Sequence, residues 1–220
     1  MPEPPLLFDL DGTLVDSLPD IAASVDFVRR QHGLPPLRDE GVRPLVGDGL
    51  ARLLARALPD LDAAARAQAE ATYRAHHLEQ CTRLVRPYPG ARAHLERWRE
   101  AGWPLAVVTN KPIAFATRVL VACGLAPLFQ AVIGGDSTPA HKPDPTPCHA
   151  ALDALGLPRG VGTMIGDGVQ DLRAGRAAGL RTIAALFGYR PEAELRAEGA
   201  DAYWAGFGVP TTAIASGDAS

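Results

Sequence analysis

The 220-residue chain is predicted to be an α/β protein: a doubly wound parallel sheet with an all-helical domain inserted after the first strand. Short apolar runs of strand length predict the sheet. Helical patterns that alternate with those runs in the second half, each followed by a glycine, predict the layers around it. The first run is 6–10, with Leu6, Leu7, Phe8 and Leu10. Residues 18–86 then break the rhythm. Their pattern is almost wholly helical, with helices expected at 20–32, 49–58 and 60–81, separated by Pro35, Pro36 and Pro59. Pro87, Tyr88, Pro89 and Gly90 read as a hinge. Strands are expected at 105–109, 131–134, 162–166 and 182–186, with helices at 112–123, 145–155 and 170–178. Gly124, Gly156 and Gly179 stand where a helix C-terminal glycine belongs. Such repetition gives a mostly parallel, Rossmann-like sheet with helices on both faces and short right-handed crossovers. The expected division is a core of residues 1–17 and 87–220 around a helical domain of residues 18–86. Residues 211–220 are small and polar and are expected to fray.

Composition excludes several classes. With 47% hydrophobic residues the chain can bury a real core, and extended disorder is excluded. A net charge of −3, with no basic stripe interleaved with aromatics, argues against a nucleic-acid partner. No apolar run approaches the ~18 residues of a membrane span. Residues 1–5 carry Glu3 and no basic residue, unlike a secretory leader, so a cytoplasmic protein is expected. Cys81, Cys123 and Cys148 are odd in number and widely spaced, which fits reduced thiols better than a disulfide or zinc. Of the 22 basic residues only Lys111 and Lys142 are lysine, and Asn110 is the lone asparagine.

Four strings at expected strand ends carry chemistry. In residues 8–17, Asp9 and Asp11 are one residue apart, so both can be aimed at one place beyond the strand. Gly12 permits a sharp turn there. In an open parallel sheet, ligands bind beyond the carboxyl ends of the strands. Residues 107–111 bring Thr109, Asn110 and a helix start, a neutral cradle for an anion. Residues 141–145 present Lys142 on a proline-stiffened loop. Residues 165–171 bring Asp167 and Asp171. Taken singly, these read as an Asx turn, a helix cap and a solvated lysine; together they place Asp167 and Asp171 with Asp9 in one acidic cluster. Packed carboxylates repel and raise each other's pKa. A hard divalent cation resolves that conflict, and an oxygen-only set suits Mg²⁺.

These four strings, in this order, resemble the four motifs of the haloacid dehalogenase superfamily of phosphotransferases, and the helical insert resembles its C1-type cap. More narrowly, residues 47–50, 88–90, 109–112, 133–136 and 187–189 resemble phosphoglycolate phosphatases. The resemblance implies that Asp9 is the nucleophile, forming an aspartyl-phosphate. Asp11 would be the general acid and base. Mg²⁺ would be held by Asp9, the Asp11 carbonyl and Asp167, with Asp171 ligating through water or orienting the set. Thr109, Asn110 and Gly12 would hold the phosphate, and Lys142 would neutralise the nucleophile. The expected reaction is hydrolysis of a small phosphomonoester, 2-phosphoglycolate first. Other sugar-phosphate or nucleotide phosphatases, a β-phosphoglucomutase-like phosphotransferase and a catalytically silent regulatory module are the alternatives. Asp11 disfavours a dehalogenase. The absence of lysine from residues 18–86 excludes a Schiff-base phosphonate hydrolase. Gly168 stands where relatives often carry a hydroxyl residue, with a modest effect on loop rigidity expected. Substrate contacts from the cap are expected from Arg43, Gly47, Asp48 and Arg52, an arginine fork suiting a carboxylate. The expected partner is a small phosphorylated metabolite, bound by a monomer or homodimer.

Overall fold

Leu6, Leu7 and Phe8 are wholly buried and form the first strand of a computed structural model that describes residues 3–207. In chain order the elements are β1 (Leu6–Phe8), β2 (Val15–Asp16), α1 (Leu18–Gln31), α2 (Arg38–Val42), α3 (Leu50–Ala57), α4 (Ala63–Gln80) and β3 (Arg86–Pro87). They continue with α5 (Ala91–Glu100), β4 (Leu105–Val108), α6 (Ile113–Ala122), β5 (Ala131–Ile133), α7 (Thr146–Ala154) and β6 (Thr163–Gly166). The last are α8 (Val169–Ala177), β7 (Arg181–Ala185), α9 (Glu192–Glu198) and β8 (Ala202–Trp204).

Six strands form one sheet in the order β5-β4-β1-β6-β7-β8, and every pair is parallel. This is the α/β architecture expected. Strand side chains alternate between faces. Leu6, Phe8, Leu105, Val107 and Ile165 pack with Leu95 and Trp98 of α5 and Phe115 and Val119 of α6. Leu7, Ala106, Val108 and Met164 face Cys148 and Leu152 of α7 and Ala174 of α8. Burial on both faces is why these strands read as unbroken apolar runs. The first cluster continues without interruption into the helices after β1, through Ile21, Val25, Leu53, Leu54 and Leu58.

The element ends differ from expectation for local reasons. β1 stops at Phe8 because the Leu10 carbonyl accepts from the N–H groups of Thr13, Leu14 and Val15. That turn passes through Gly12 at φ 83°, a left-handed conformation that favours glycine. α4 begins at Ala63 because the Asp62 side chain accepts from Ala65 N–H at 2.8 Å. α2, α5, α9, β8 and the β2–β3 ribbon were not expected. In α5 the apolar positions Ala91, Leu95 and Trp98 are submerged among arginines and glutamates. Residues 87–90, expected as a hinge, begin inside the ribbon: Pro87 pairs with Val15, and Arg86 with Asp16. Residues 211–220 lie outside the described residues.

α1 is tied to the chain leaving α4 by Asp20, which is wholly buried. It accepts from Gln80 Nε2 (2.8 Å) and from the N–H groups of Leu84 (3.0 Å) and Val85 (2.8 Å). Asp26 accepts from Leu37 and Arg38 N–H, at 2.7 and 3.1 Å, which fixes the chain entering α2.

Candidate active site

The central strands β1 and β6 are neighbours, so the residues just beyond their carboxyl ends meet. Asp9 succeeds β1, Asp167 succeeds β6, and Asp171 sits in the first turn of α8. All three are buried, and one carboxylate oxygen of each lies within 4.8 Å of the others. Glycine makes that approach possible. A Cβ on Gly12 would stand 2.2 Å from Asp167 Oδ2, and one on Gly188 would stand 2.2 Å from the Asp167 Cβ. Asp167 accepts from Thr13 Oγ1 (3.0 Å) and Tyr189 N–H (2.7 Å). Asp171 Oδ2 accepts from Gly168 N–H at 2.9 Å. Gly168 therefore anchors Asp171 through its backbone, a contact that needs no side chain.

One lysine serves this cluster. Lys142 Nζ lies 2.9 Å from Asp9 Oδ1 and 2.5 Å from Asp171 Oδ1, and donates to the Val108 carbonyl at 2.6 Å. Burial alone would lower its pKa, but Asp171 and Asp9 hold it above the ordinary lysine range. Burial, then the Asp9 charge, pushes Asp167 well above the usual carboxylate range. Burial pushes Asp171 up to about 7 against the pull of Lys142. Asp9 Oδ1 has that ammonium as its partner. Three crowded, buried oxygen donors, two of them reluctant to ionise, fit a hard divalent cation such as Mg²⁺.

The second lysine takes the second aspartate. Lys111 Nζ donates to both oxygens of Asp11, at 3.0 and 3.1 Å, and Ser17 Oγ donates to Asp11 Oδ1 at 2.5 Å. Asp9, Asp11 and Lys111 open onto a cavity of about 50 Å³ between the sheet end and the helices after β1. Thr109, Asn110 and Phe115 line it from the core; Ile21, Leu50, Leu53, Tyr73 and His77 line it from α1, α3 and α4. A water needs ~10–15 Å³ by this measure, so the cavity has room for only a few.

The expected site residues divide. Asp9, Asp11, Thr109, Asn110 and Gly47 face the cavity, while Lys142, Asp167 and Asp171 form the layer beneath. The Asn110 side chain is committed elsewhere. It donates to the carbonyls of Gly47 (3.0 Å) and Lys142 (2.9 Å) and accepts from Lys142 N–H (3.0 Å). Gly12 departs from its expected phosphate contact: its N–H donates to the Val15 carbonyl at 2.9 Å, so its task is the turn and the close approach of Asp167. The cap arginines also depart from expectation. Arg52 is exposed and absent from the cavity lining. Arg43 is exposed and lies over the Tyr189 ring, 5.5 Å from its centroid. Asp48 is held by Arg56 at 2.6 Å. Charged side chains keep their hydration unless paired, and none of these three has a buried partner at the cavity. The cation that does face the cavity is Lys111.

Thr13, Ser17, Tyr73, His77 and Tyr189 were missed by sequence reasoning. Thr13 and Ser17 sit inside the first string and could have been read as partners for its aspartates. Tyr73 and His77, four apart on α4, share a helical face, a legible but unspecific signal. Tyr189 stands in the 187–189 string that carries the resemblance, but its role was not legible, because its contacts run to Ser17, Leu18 and Asp167, far away in sequence.

Comparison with known proteins agrees with this geometry. The profile described as Haloacid dehalogenase-like hydrolase matches residues 6–185. A phosphoglycolate phosphatase of Neisseria meningitidis is 38% identical over 188 residues, covering 83% of this chain and 80% of that protein. A phosphoglycolate phosphatase of Cereibacter sphaeroides is 38% identical over 191 residues, covering 85% and 87%. The crystal structure of a protein described as a predicted phosphoglycolate phosphatase from Haemophilus somnus superposes with a TM-score of 0.85 at 30% identity, covering 92% of this chain and 94% of that one. The matched segment contains all four strings and the helical insert between the first two, so the chain belongs to the haloacid dehalogenase-like hydrolase family.

Proposed function

We propose that this protein is a Mg²⁺-dependent phosphatase that hydrolyses a small phosphomonoester, 2-phosphoglycolate to glycolate, through an aspartyl-phosphate on Asp9. One observation carries the reading: Asp9 and Asp11 stand together at the carboxyl end of the central strand, each beside its own buried lysine. Asp9, whose Oδ1 is held by the Lys142 ammonium, attacks phosphorus through a carboxylate oxygen as the bond to the leaving oxygen breaks. Asp11 gives that oxygen its proton. It then takes a proton from the water that attacks the phosphoryl group and releases Asp9. General acid–base help of this kind contributes about 10²–10⁴ in rate. Lys142 keeps Asp9 compensated, and Thr109 with the Asn110 backbone receives a phosphoryl oxygen. Mg²⁺, held by Asp9, Asp167 and the Asp11 carbonyl, would offset the repulsion between carboxylate and phosphate. Asp171 already uses both oxygens, for Lys142 and Gly168 N–H, which favours an orienting role.

The cavity supports a short leaving group, and the named relatives favour 2-phosphoglycolate. Helices of the described residues are nowhere long and apolar enough to cross a membrane. The reading is tested by phosphate release with Mg²⁺ from 2-phosphoglycolate, sugar phosphates, nucleotides and pyrophosphate. The parent protein is expected to prefer 2-phosphoglycolate, and Asp9→Asn to lose at least 10³-fold in kcat. An Asp9→Asn protein that keeps the parental Mg²⁺-dependent rate overturns the mechanism.

A further inference from the structure

The two lysines differ in how fully their donors are engaged. An ammonium has three N–H groups. Those of Lys142 have three acceptors, Asp9 Oδ1, Asp171 Oδ1 and the Val108 carbonyl. Lys111 Nζ has one partner, the Asp11 carboxylate, at 3.0 and 3.1 Å from its two oxygens. Asp11 can take two of the three N–H groups at most, and among the described residues no other acceptor lies within hydrogen-bond distance of Nζ. The Lys111 side chain is 5% exposed, so open solvent does not serve the remaining donor freely. Both partners of the ion pair line the cavity, and Lys111 is the one cation among its lining residues. A buried donor left unpaired is costly, and a cationic donor makes its strongest hydrogen bonds with an anion.

Bond counts decide which anion suits that donor. Asp11 acts on the leaving oxygen, and Lys111 touches Asp11. A charged group that Lys111 receives must therefore stand close to the leaving oxygen along the substrate chain. In a glycolate leaving group a single methylene separates the leaving oxygen from the carboxyl carbon. A longer acid carries its charge away from Asp11, toward the side chains of Ile21, Val46, Leu50 and Leu53, which offer no hydrogen bond and where an unpaired charge is strongly disfavoured. We propose that the free N–H of Lys111 receives the carboxylate of a two-carbon leaving group, and that Lys111 is the residue that selects 2-phosphoglycolate over a neutral phosphomonoester of the same size. This rests on the phosphatase reading above. It moves the selecting charge from the expected cap arginines to the core, just beyond β4.

The test compares two substrates that differ in the carboxylate alone, 2-phosphoglycolate and ethyl phosphate. Steady-state constants are measured for the parent, Lys111→Gln and Lys111→Met, with folding checked by thermal melts. Gln offers Asp11 an amide donor without the charge; Met removes both. In each variant kcat/KM for 2-phosphoglycolate is expected to fall at least tenfold more than for ethyl phosphate, mainly through KM. Any loss that the two substrates share belongs to the hold on Asp11. Equal losses on both substrates, or a parent with no preference for 2-phosphoglycolate over ethyl phosphate, overturns the proposal, since a lysine that only holds Asp11 would behave so. If the parent releases phosphate from neither substrate, the phosphatase reading falls separately. Calorimetric titration of the two unreacted compounds into the parent and Lys111→Gln then decides the Lys111 proposal. Binding of 2-phosphoglycolate to the parent at least tenfold tighter than ethyl phosphate, with the gap lost in Lys111→Gln, supports it. Equal binding to the parent, binding of neither, or a gap that persists in Lys111→Gln overturns it.

Discussion

Lys142 holds two carboxylates with one charge. It is 1% exposed and lies within 2.9 Å of both Asp9 and Asp171. Removing one partner of a buried ion cluster leaves the others uncompensated, which costs about 3–5 kcal/mol. Lys142→Met keeps the stem and deletes the charge. It is expected to lower the melting temperature and to cut kcat at least 10²-fold. Lys142→Arg is expected not to rescue, because a planar fork does not fit a slot shaped for a point charge. A Met variant with the parental kcat would show that Asp9 needs no counter-charge. This residue was legible in a particular way. In a chain that otherwise uses arginine, both lysines fall inside two of the four strings that carry the chemistry, 107–111 and 141–145. Their pairing was not legible, because Lys111 and Asp11 are 100 residues apart, and only the parallel register of β1 with β4 brings them together. His77 was hidden for a similar reason: nothing in α4 says that its buried face looks onto a site built by β1 and β4.

Among the elements, the two-residue strands β2 and β3 carry more than their length suggests. They are the paired entry to and exit from the helical insert, and Tyr189 clamps the entry. Its hydroxyl accepts from Ser17 N–H (2.8 Å) and Leu18 N–H (3.0 Å) and donates to Asp16 Oδ1 (3.0 Å). The same residue's N–H holds Asp167, so one residue joins the acidic cluster to the start of α1. Tyr189→Phe strips the hydroxyl and leaves the buried Ser17 N–H without an acceptor, while Leu18 N–H keeps Asp16 Oδ1 at 3.2 Å. The expected cost is about 1–3 kcal/mol, read as a fall of several degrees in the melting temperature, with the fold kept. A fall below one degree would mean that water replaces the hydroxyl freely. The ribbon could not be read from sequence, since two-residue strands carry no alternation. β1, β4 and β6 could be read, because burial on both faces demands apolar residues throughout. Asp62 was readable in principle as a helix cap, and α4 starts where it caps.

Across the whole molecule, the sheet order is what concentrates charge. With β1 at the centre and β4 and β6 on either side, the turns after three strands deliver Asp9, Asp11, Thr109, Asn110, Lys111 and Asp167 to one end. This much was legible from strand ends. The distribution of roles around the cavity was not, because the insert packs in through one continuous apolar cluster whose residues carry no chemistry of their own. The concentration of carboxylates has a consequence for stability. Asp167 and Asp171 both have pKa values raised in the folded state, Asp171 to about 7. At these two carboxylates the folded protein binds more protons than the unfolded chain from near 4 up to about 7, two protons against the one that His77, its pKa lowered by burial to about 2, gives up below about 6.5. Metal-free stability must fall as pH rises through that window. Mg²⁺ bound as proposed would compete with those protons for the same oxygens, and a ligand of the folded state alone adds RT ln(1 + [L]/Kd), about 2.7 kcal/mol at a hundredfold excess over Kd. Its stabilisation must therefore grow as the protons leave. Thermal melts with EDTA are expected to give a higher melting temperature at pH 5.5 than at pH 8. Adding Mg²⁺ is expected to raise it more at pH 8 than at pH 5.5. Equal increments at the two pH values would mean that the cation does not bind through these carboxylates, and would remove the acidic cluster as the metal site.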